Sequence, residues 1–162
     1  MTAAAAAAPQ TALGRTLVLV SVILATTLYA TTLTIANVAL PQMQGDLSAS
    51  IDQIAWVLTF NIVATAIATP PTGWLAAGLG RKRLLVGAVL GFTISTVLCG
   101  LASSLPELIL WRTCQGLFGA PLVPLSQAIT LDTYPREKHG TAMALWGVGV
   151  MLGPILGPTI GG

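Results

Sequence analysis

The chain has 162 residues, 54% hydrophobic and only 7% charged, with a formal net charge of +2 at pH 7. A water-soluble domain carries about a quarter charged residues, so this composition, with a mean hydropathy of +0.84, excludes a soluble fold and predicts an all-α integral membrane protein. The few positive charges are too scattered to form a nucleic-acid footprint.

Residues 1–15 open with alanines at positions 3–8 and Pro9, and read as a disordered cytoplasmic lead. They are no cleaved signal, because the apolar run that follows is too long for a signal core. That run, about 16–40, would span ~36 Å as a helix, enough for a ~30 Å hydrocarbon layer with some tilt. Pro41 is expected to end it. Further runs cover about 53–76, 84–102, 106–131 and 142–162, giving five predicted transmembrane helices. Pro70-Pro71 should bend or end the second near its cytoplasmic side, and the short links 77–83 and 103–105 force antiparallel hairpins.

Orientation follows from the basic residues. With the N-terminus inside, Arg15, Arg81, Lys82, Arg83, Arg136 and Lys138 are all cytoplasmic, six of the seven Lys and Arg residues. The outer loops then hold only the acids Asp46, Asp52 and Glu107. The reverse topology would violate the positive-inside rule.

Arg112, the seventh residue of the fourth run, is the one charge clearly inside a span. Intramembrane charges are expensive and mark functional candidates. Gln115, Gly116, Gly119, Ser126 and Gln127 are expected on its helical face, with Leu108, Ile109 and Leu117 elsewhere, so it should look into the bundle. Snorkelling toward the outer interface beside Glu107 is the alternative. The first run offers Thr27, Thr34 and Asn37, and the second Asn61, Thr65, Thr69 and Thr72. These faces either line a wet cavity shared with Arg112 or bond across helices as packing glue.

In the fifth run, Gly149, Gly153, Gly157 and Gly161 recur every fourth residue, with Pro154 and Pro158 between them. Such a side-chain-free stripe lets a neighbouring helix approach closely in lipid. Each proline removes a backbone donor and should bend the helix. The sequence stops inside this motif, which is read as truncation before a sixth span. Cys99 and Cys114 lack partners at ligand spacing and read as small hydrophobes. No metal-ligand set, cofactor motif or catalytic constellation appears, and His139 sits among basic residues. Nothing in the residues supports an enzyme.

Several segments together resemble the major facilitator superfamily, specifically its fourteen-span drug:proton antiporters. Thr34-Ile-Ala-Asn37-Val-Ala-Leu-Pro41 resembles the first-span signature. Gly73 to Gly80 followed by Arg81-Lys82-Arg83 resembles the loop between spans two and three. Arg112-Thr-Cys-Gln115-Gly116 resembles the fourth-span motif, and the glycine-proline repeat resembles the exporters' fifth-span motif. Trp56 and Pro135 also fit. Two positions depart from the pattern, with Thr32 and Ala77 where the family commonly has acids.

The resemblance implies five helices of an incomplete six-helix amino-terminal bundle, in a bacterial inner membrane. It implies an intact protein that exchanges protons for small lipophilic or cationic compounds, with a membrane-fusion or adaptor protein as a further partner. Arg112 would tune proton coupling. Thr34, Asn37, Asn61, Thr65 and Gln115 would line the cavity. Gly73, Gly80, Arg81, Lys82 and Arg83 would form the cytoplasmic gate. Five spans alone cannot alternate access, so the fragment itself should not transport. The rivals are a metabolite or nutrient carrier of the same superfamily, and a non-transporting five-span assembly protein.

Overall fold

The computed structural model describes residues 11–161. Residues 1–10, most of the predicted lead, and Gly162 lie outside them. The described part is helical, in the order α1 (Ala12–Asp46), α2 (Ile51–Ala68), α3 (Thr72–Leu79), α4 (Arg81–Leu101), α5 (Leu105–Gly119), α6 (Leu122–Thr133) and α7 (His139–Gly161), with a 3-10 turn at Arg136–Lys138 before α7.

Helix α1 starts earlier and ends later than the sequence reading. Thr11 caps it by accepting from the Gly14 N–H, so residues 12–15 are helical, not part of a disordered lead. Pro41 does not end it. The proline withdraws a single N–H, and the helix runs on to Asp46, where Ser48 adopts a positive φ of 48° and turns the chain. At 35 residues the helix is ~52 Å long, beyond the ~30 Å hydrocarbon layer, so it must tilt or project.

The second run is two helices. A reciprocal cap between Ser50 and Gln53 starts α2, and the chain breaks at Thr69–Pro71 before α3 resumes. Gly80 joins α3 to α4 at φ +86°, a backbone region that side chains rarely enter. The fourth run, read as one helix over 106–131, is also broken. Pro121 cannot donate to the preceding turn, so α5 stops at Gly119 and α6 begins at Leu122. Ala120 and Pro121 nevertheless keep right-handed dihedrals (−52°, −44° and −71°, −19°), so the junction is a kink.

Among the described residues, four helices are long and apolar enough to cross a membrane, including Ala12–Asp46 and Arg136–Thr159. Helices α5 and α6, at 15 and 12 residues, are each shorter than these four. Large apolar side chains such as Leu24, Ile62, Val97 and Ile155 stand exposed on the outer faces, as lipid contact requires.

The packing is interlocked. Helix α1 lies most extensively against α7, α2 against α5, and α4 against α5, with α6 touching α1. Small apolar clusters fill the gaps: Leu19, Val22 and Trp146 join α1 to α7, Ile54, Val57 and Leu108 join α2 to α5, and Ala88, Phe92 and Leu122 join α4 to α6.

Candidate functional site

The α5 face carrying Arg112 is buried from end to end: Leu108, Arg112, Gln115, Gly116 and Gly119 are all inside. Leu108 is four residues before Arg112, hence on the same face and not elsewhere as its hydrophobicity suggests. Arg112 is 5% exposed and lies inside the bundle. Glu107, the snorkelling partner considered above, instead accepts from the Ser103 backbone and hydroxyl.

A short polar chain holds the guanidinium. Arg112 Nη1 donates to Gln115 Oε1 at 3.0 Å, Gln115 Nε2 donates to Thr96 Oγ1 at 2.7 Å, and Thr96 donates to the Phe92 carbonyl at 2.7 Å. Arg112 Nε is buried without a partner among the described residues. Arg112 and Gln115 line a cavity of about 220 Å³ whose other walls are Thr32, Ile35 and Met43 of α1 and Thr96, Cys99 and Gly100 of α4. Thr32, one of the two departures from the family pattern, thus shares a cavity with Arg112. Nothing in the sequence singles out Thr96; the available signal is the hydroxyl run Thr93-Ile-Ser-Thr96 in an otherwise apolar stretch.

The remaining cavity candidates go elsewhere. Asn61 is buried and donates to the Arg112 carbonyl at 2.8 Å. Thr65 donates to the Asn61 carbonyl of its own helix and to the Gly116 carbonyl at 3.2 Å. Both therefore sit in the α2–α5 contact. A Cβ on Gly116 would collide with the Asn61 carbonyl oxygen and lie 3.1 Å from Ala64 Cβ, which is why glycine stands there. Thr34 is in the α1–α7 contact, with bonds to Ala30, Thr31 and, at 3.4 Å, the Gly153 carbonyl. Asn37 is exposed and donates to the Leu33 carbonyl.

The glycine stripe of α7 faces α1. Gly149 abuts Ile23, Gly153 abuts Ala30 with the backbone of Thr27 and Thr31, and Gly157 abuts Thr34. Thr27 donates to the Gly149 carbonyl at 2.9 Å. Pro154 and Pro158 lie on the exposed side, as do Ile155 and Leu156. Gly161 ends the helix.

At the opposite end, Arg81 pairs with Asp132 at the end of α6, and both side chains are about half exposed. A cavity of about 260 Å³ beside them is lined by Gly73, Ala76, Ala77 and Arg81 on one side and Pro124, Leu125 and Ala128 on the other. Ala77 and Arg81 thus meet at one opening between α3 and α6. Lys82 and Arg83 are exposed. Cys99 and Cys114 are free and half-buried.

These features define a multi-pass helical membrane protein with a buried cation held by a short polar chain. The chain belongs to the Major Facilitator Superfamily, whose sequence profile matches residues 22–162. It is 48% identical over 129 residues to the Multidrug export protein EmrB of Haemophilus influenzae, a match covering 80% of this chain and 25% of that protein. It is 46% identical over 129 residues to EmrB of Escherichia coli and 44% to the Fatty acid resistance protein FarB of Neisseria gonorrhoeae, with the same coverage. The chain thus spans about a quarter of the length of these relatives. The crystal structure of a bacterial homologue of the human lysosomal transporter Spinster, inward-facing and unoccupied, superposes with a TM-score of 0.82 at 26% identity, covering 94% of this chain and 32% of that one.

Proposed function

We propose that this chain is the amino-terminal part of a proton-coupled multidrug exporter of a bacterial inner membrane, with the N-terminus in the cytoplasm. One observation carries the choice of exporter over nutrient carrier: the glycine-proline helix α7 is seated on α1 through Gly149, Gly153 and Gly157. A leak-tight contact of this kind suits a protein that must not let its cargo return. Similarity to proteins named for multidrug export and fatty acid resistance supports the same reading.

In this reading Arg112 positions the coupling machinery without carrying the proton, because a guanidinium does not deprotonate in proteins. Gln115, itself bonded to Thr96 of α4, accepts from its fork. The Gly80 turn and the Arg81–Asp132 pair act as the cytoplasmic gate, and a membrane-fusion or adaptor protein is the partner outside. A second helical bundle is needed for alternating access, so the 162 residues alone do not transport.

The test is dye efflux from a pump-deficient bacterium expressing the gene's complete reading frame. Efflux should appear, collapse on adding an uncoupler, and fall in Arg112→Ala. Dye retention equal to the empty vector, with the protein present in the membrane, would refute the export reading. Efflux in Arg112→Ala with undiminished uncoupler sensitivity would remove Arg112 from the coupling role.

A further inference from the structure

We infer that the cavity at Arg112 is a binding site for one small anion, a carboxylate headgroup or a halide. Arg112 has no counter-charge among the described residues. Arg112 is 5% exposed, yet no acid is among the residues lining its cavity. The one ion pair among the described residues, Arg81–Asp132, lies at the far end of the bundle. Glu107 is engaged with Ser103. A buried guanidinium without a counter-charge is costly, and a neutral amide repairs only part of that cost.

The donor inventory gives the same answer. A guanidinium has five N–H donors and no acceptor. Gln115 takes one at Nη1, and Nε has no partner among the described residues. The cavity's hydroxyls are committed to carbonyls of their own helices, Thr32 to Leu28 at 2.8 Å and Thr96 to Phe92 at 2.7 Å. The charged donors left free at this cavity therefore belong to Arg112, with the second Nε2 N–H of Gln115 beside them, and the charge selects an anion and repels a cation. The size, about 220 Å³, falls below the ~300–1,000 Å³ of pockets that enclose a whole drug-sized molecule. It suits an ion or a headgroup, and the apolar lining of Ile35, Met43 and Cys99 suits an adjoining hydrocarbon or aryl part. Treating that anion as cargo or co-ion rests on the export reading; its binding does not.

Thr32 supplies the decisive variant. It stands on the α1 wall of the cavity that Arg112 closes from α5, so Thr32→Asp would install an internal counter-charge and displace the ligand while sparing the arginine. The probes are sodium benzoate, benzylamine, benzyl alcohol and sodium chloride. They are titrated against the purified protein in phosphatidylcholine nanodiscs, in a zwitterionic buffer free of other small anions, by saturation-transfer NMR for the aromatics and chlorine-35 line width for chloride.

Saturable binding of benzoate, chloride or both is expected. Benzylamine and benzyl alcohol should not bind saturably. Affinity should fall about tenfold or more in Thr32→Asp through loss of the charge-assisted contact, and binding should vanish in Arg112→Gln. Benzoate without chloride identifies a carboxylate site, and chloride without benzoate a halide site. No saturable anion binding, or binding unchanged in a folded Thr32→Asp, would overturn the inference. Dye efflux separates the two readings: efflux without anion binding overturns only this one, and anion binding without efflux overturns only export.

Discussion

Adding one methyl group at Gly153 should weaken this bundle measurably. A Cβ at that position would lie 2.5 Å from Ala30 Cβ and 3.0 Å from both the Thr27 carbonyl oxygen and the Thr31 nitrogen. Non-bonded carbons settle at about 3.5–4.0 Å, and the obstructing atoms are backbone and a Cβ with no rotamer to move. Helices α1 and α7 must therefore part by roughly 1 Å. The Thr27–Gly149 bond, now 2.9 Å, would stretch to about 3.9 Å, beyond hydrogen-bond range. Overpacking costs about 1–3 kcal/mol and a lost interhelical bond about 0.6 kcal/mol. Alanine returns about 1 kcal/mol through its better helix propensity, leaving a net loss of roughly 0.6–2.6 kcal/mol. Gly147, on the same helix, has nothing within 4 Å of its would-be Cβ, so Gly147→Ala should be neutral or stabilise by up to ~1 kcal/mol. Unfolding of the purified variants in mixed dodecyl-sulfate and maltoside micelles, followed by tryptophan fluorescence, reads both. If Gly153→Ala is no less stable than Gly147→Ala, the close seating of α7 on α1 is wrong.

The Gly80 turn, at φ +86° and ψ 139°, should penalise Gly80→Ala by about 1–3 kcal/mol, whereas Gly78→Ala, with a free Cβ site, should not lose stability in the same micelle assay. Asn61→Ala, which removes the bond to the Arg112 carbonyl, should cost about 0.6–1.7 kcal/mol; a loss below the error of the measurement would make that bond incidental. With Cys99 and Cys114 replaced by alanine, an impermeant maleimide applied outside whole cells should label Ser103→Cys and not Arg83→Cys. Labelling of both from outside would reverse the proposed orientation.

Composition and run length made the class of fold legible, because a bilayer demands long charge-poor helices whatever their partners. The interruptions were harder to read. Pro41 and Pro121 look alike in sequence, yet α1 continues through the first while the second separates α5 from α6. A proline removes one donor in either place; whether the helix continues depends on what packs around it. The inward direction of Arg112 followed from Gln115, Gly116 and Gly119 at helical spacing. Thr96, which accepts from the Gln115 that holds the guanidinium, comes from another helix, and no periodicity within α5 points to it. The polar faces of the first two spans were visible as faces, but what they touch was not. A threonine that bonds a neighbouring backbone and one that lines water have the same spacing, and only the packing separates them.

The two main helix contacts share one construction, which explains where those polar residues went. In the α1–α7 contact, Thr27 and Thr34 donate to the carbonyls of Gly149 and Gly153, four residues apart. In the α2–α5 contact, Asn61 and Thr65 donate to the carbonyls of Arg112 and Gly116, again four residues apart. Each time, the later carbonyl belongs to a glycine whose missing side chain admits the partner's backbone: Thr27 and Thr31 at Gly153, and Asn61 at Gly116. The glycine permits the approach, and the approach brings the donor within reach of the carbonyl, so neither half works alone. In lipid, where apolar surfaces gain little by meeting, such bonds and close contacts must do what hydrophobic burial does in water. The second contact also bonds the carbonyl of Arg112 itself. The α2–α5 seam therefore fixes the backbone from which the buried guanidinium reaches its cavity.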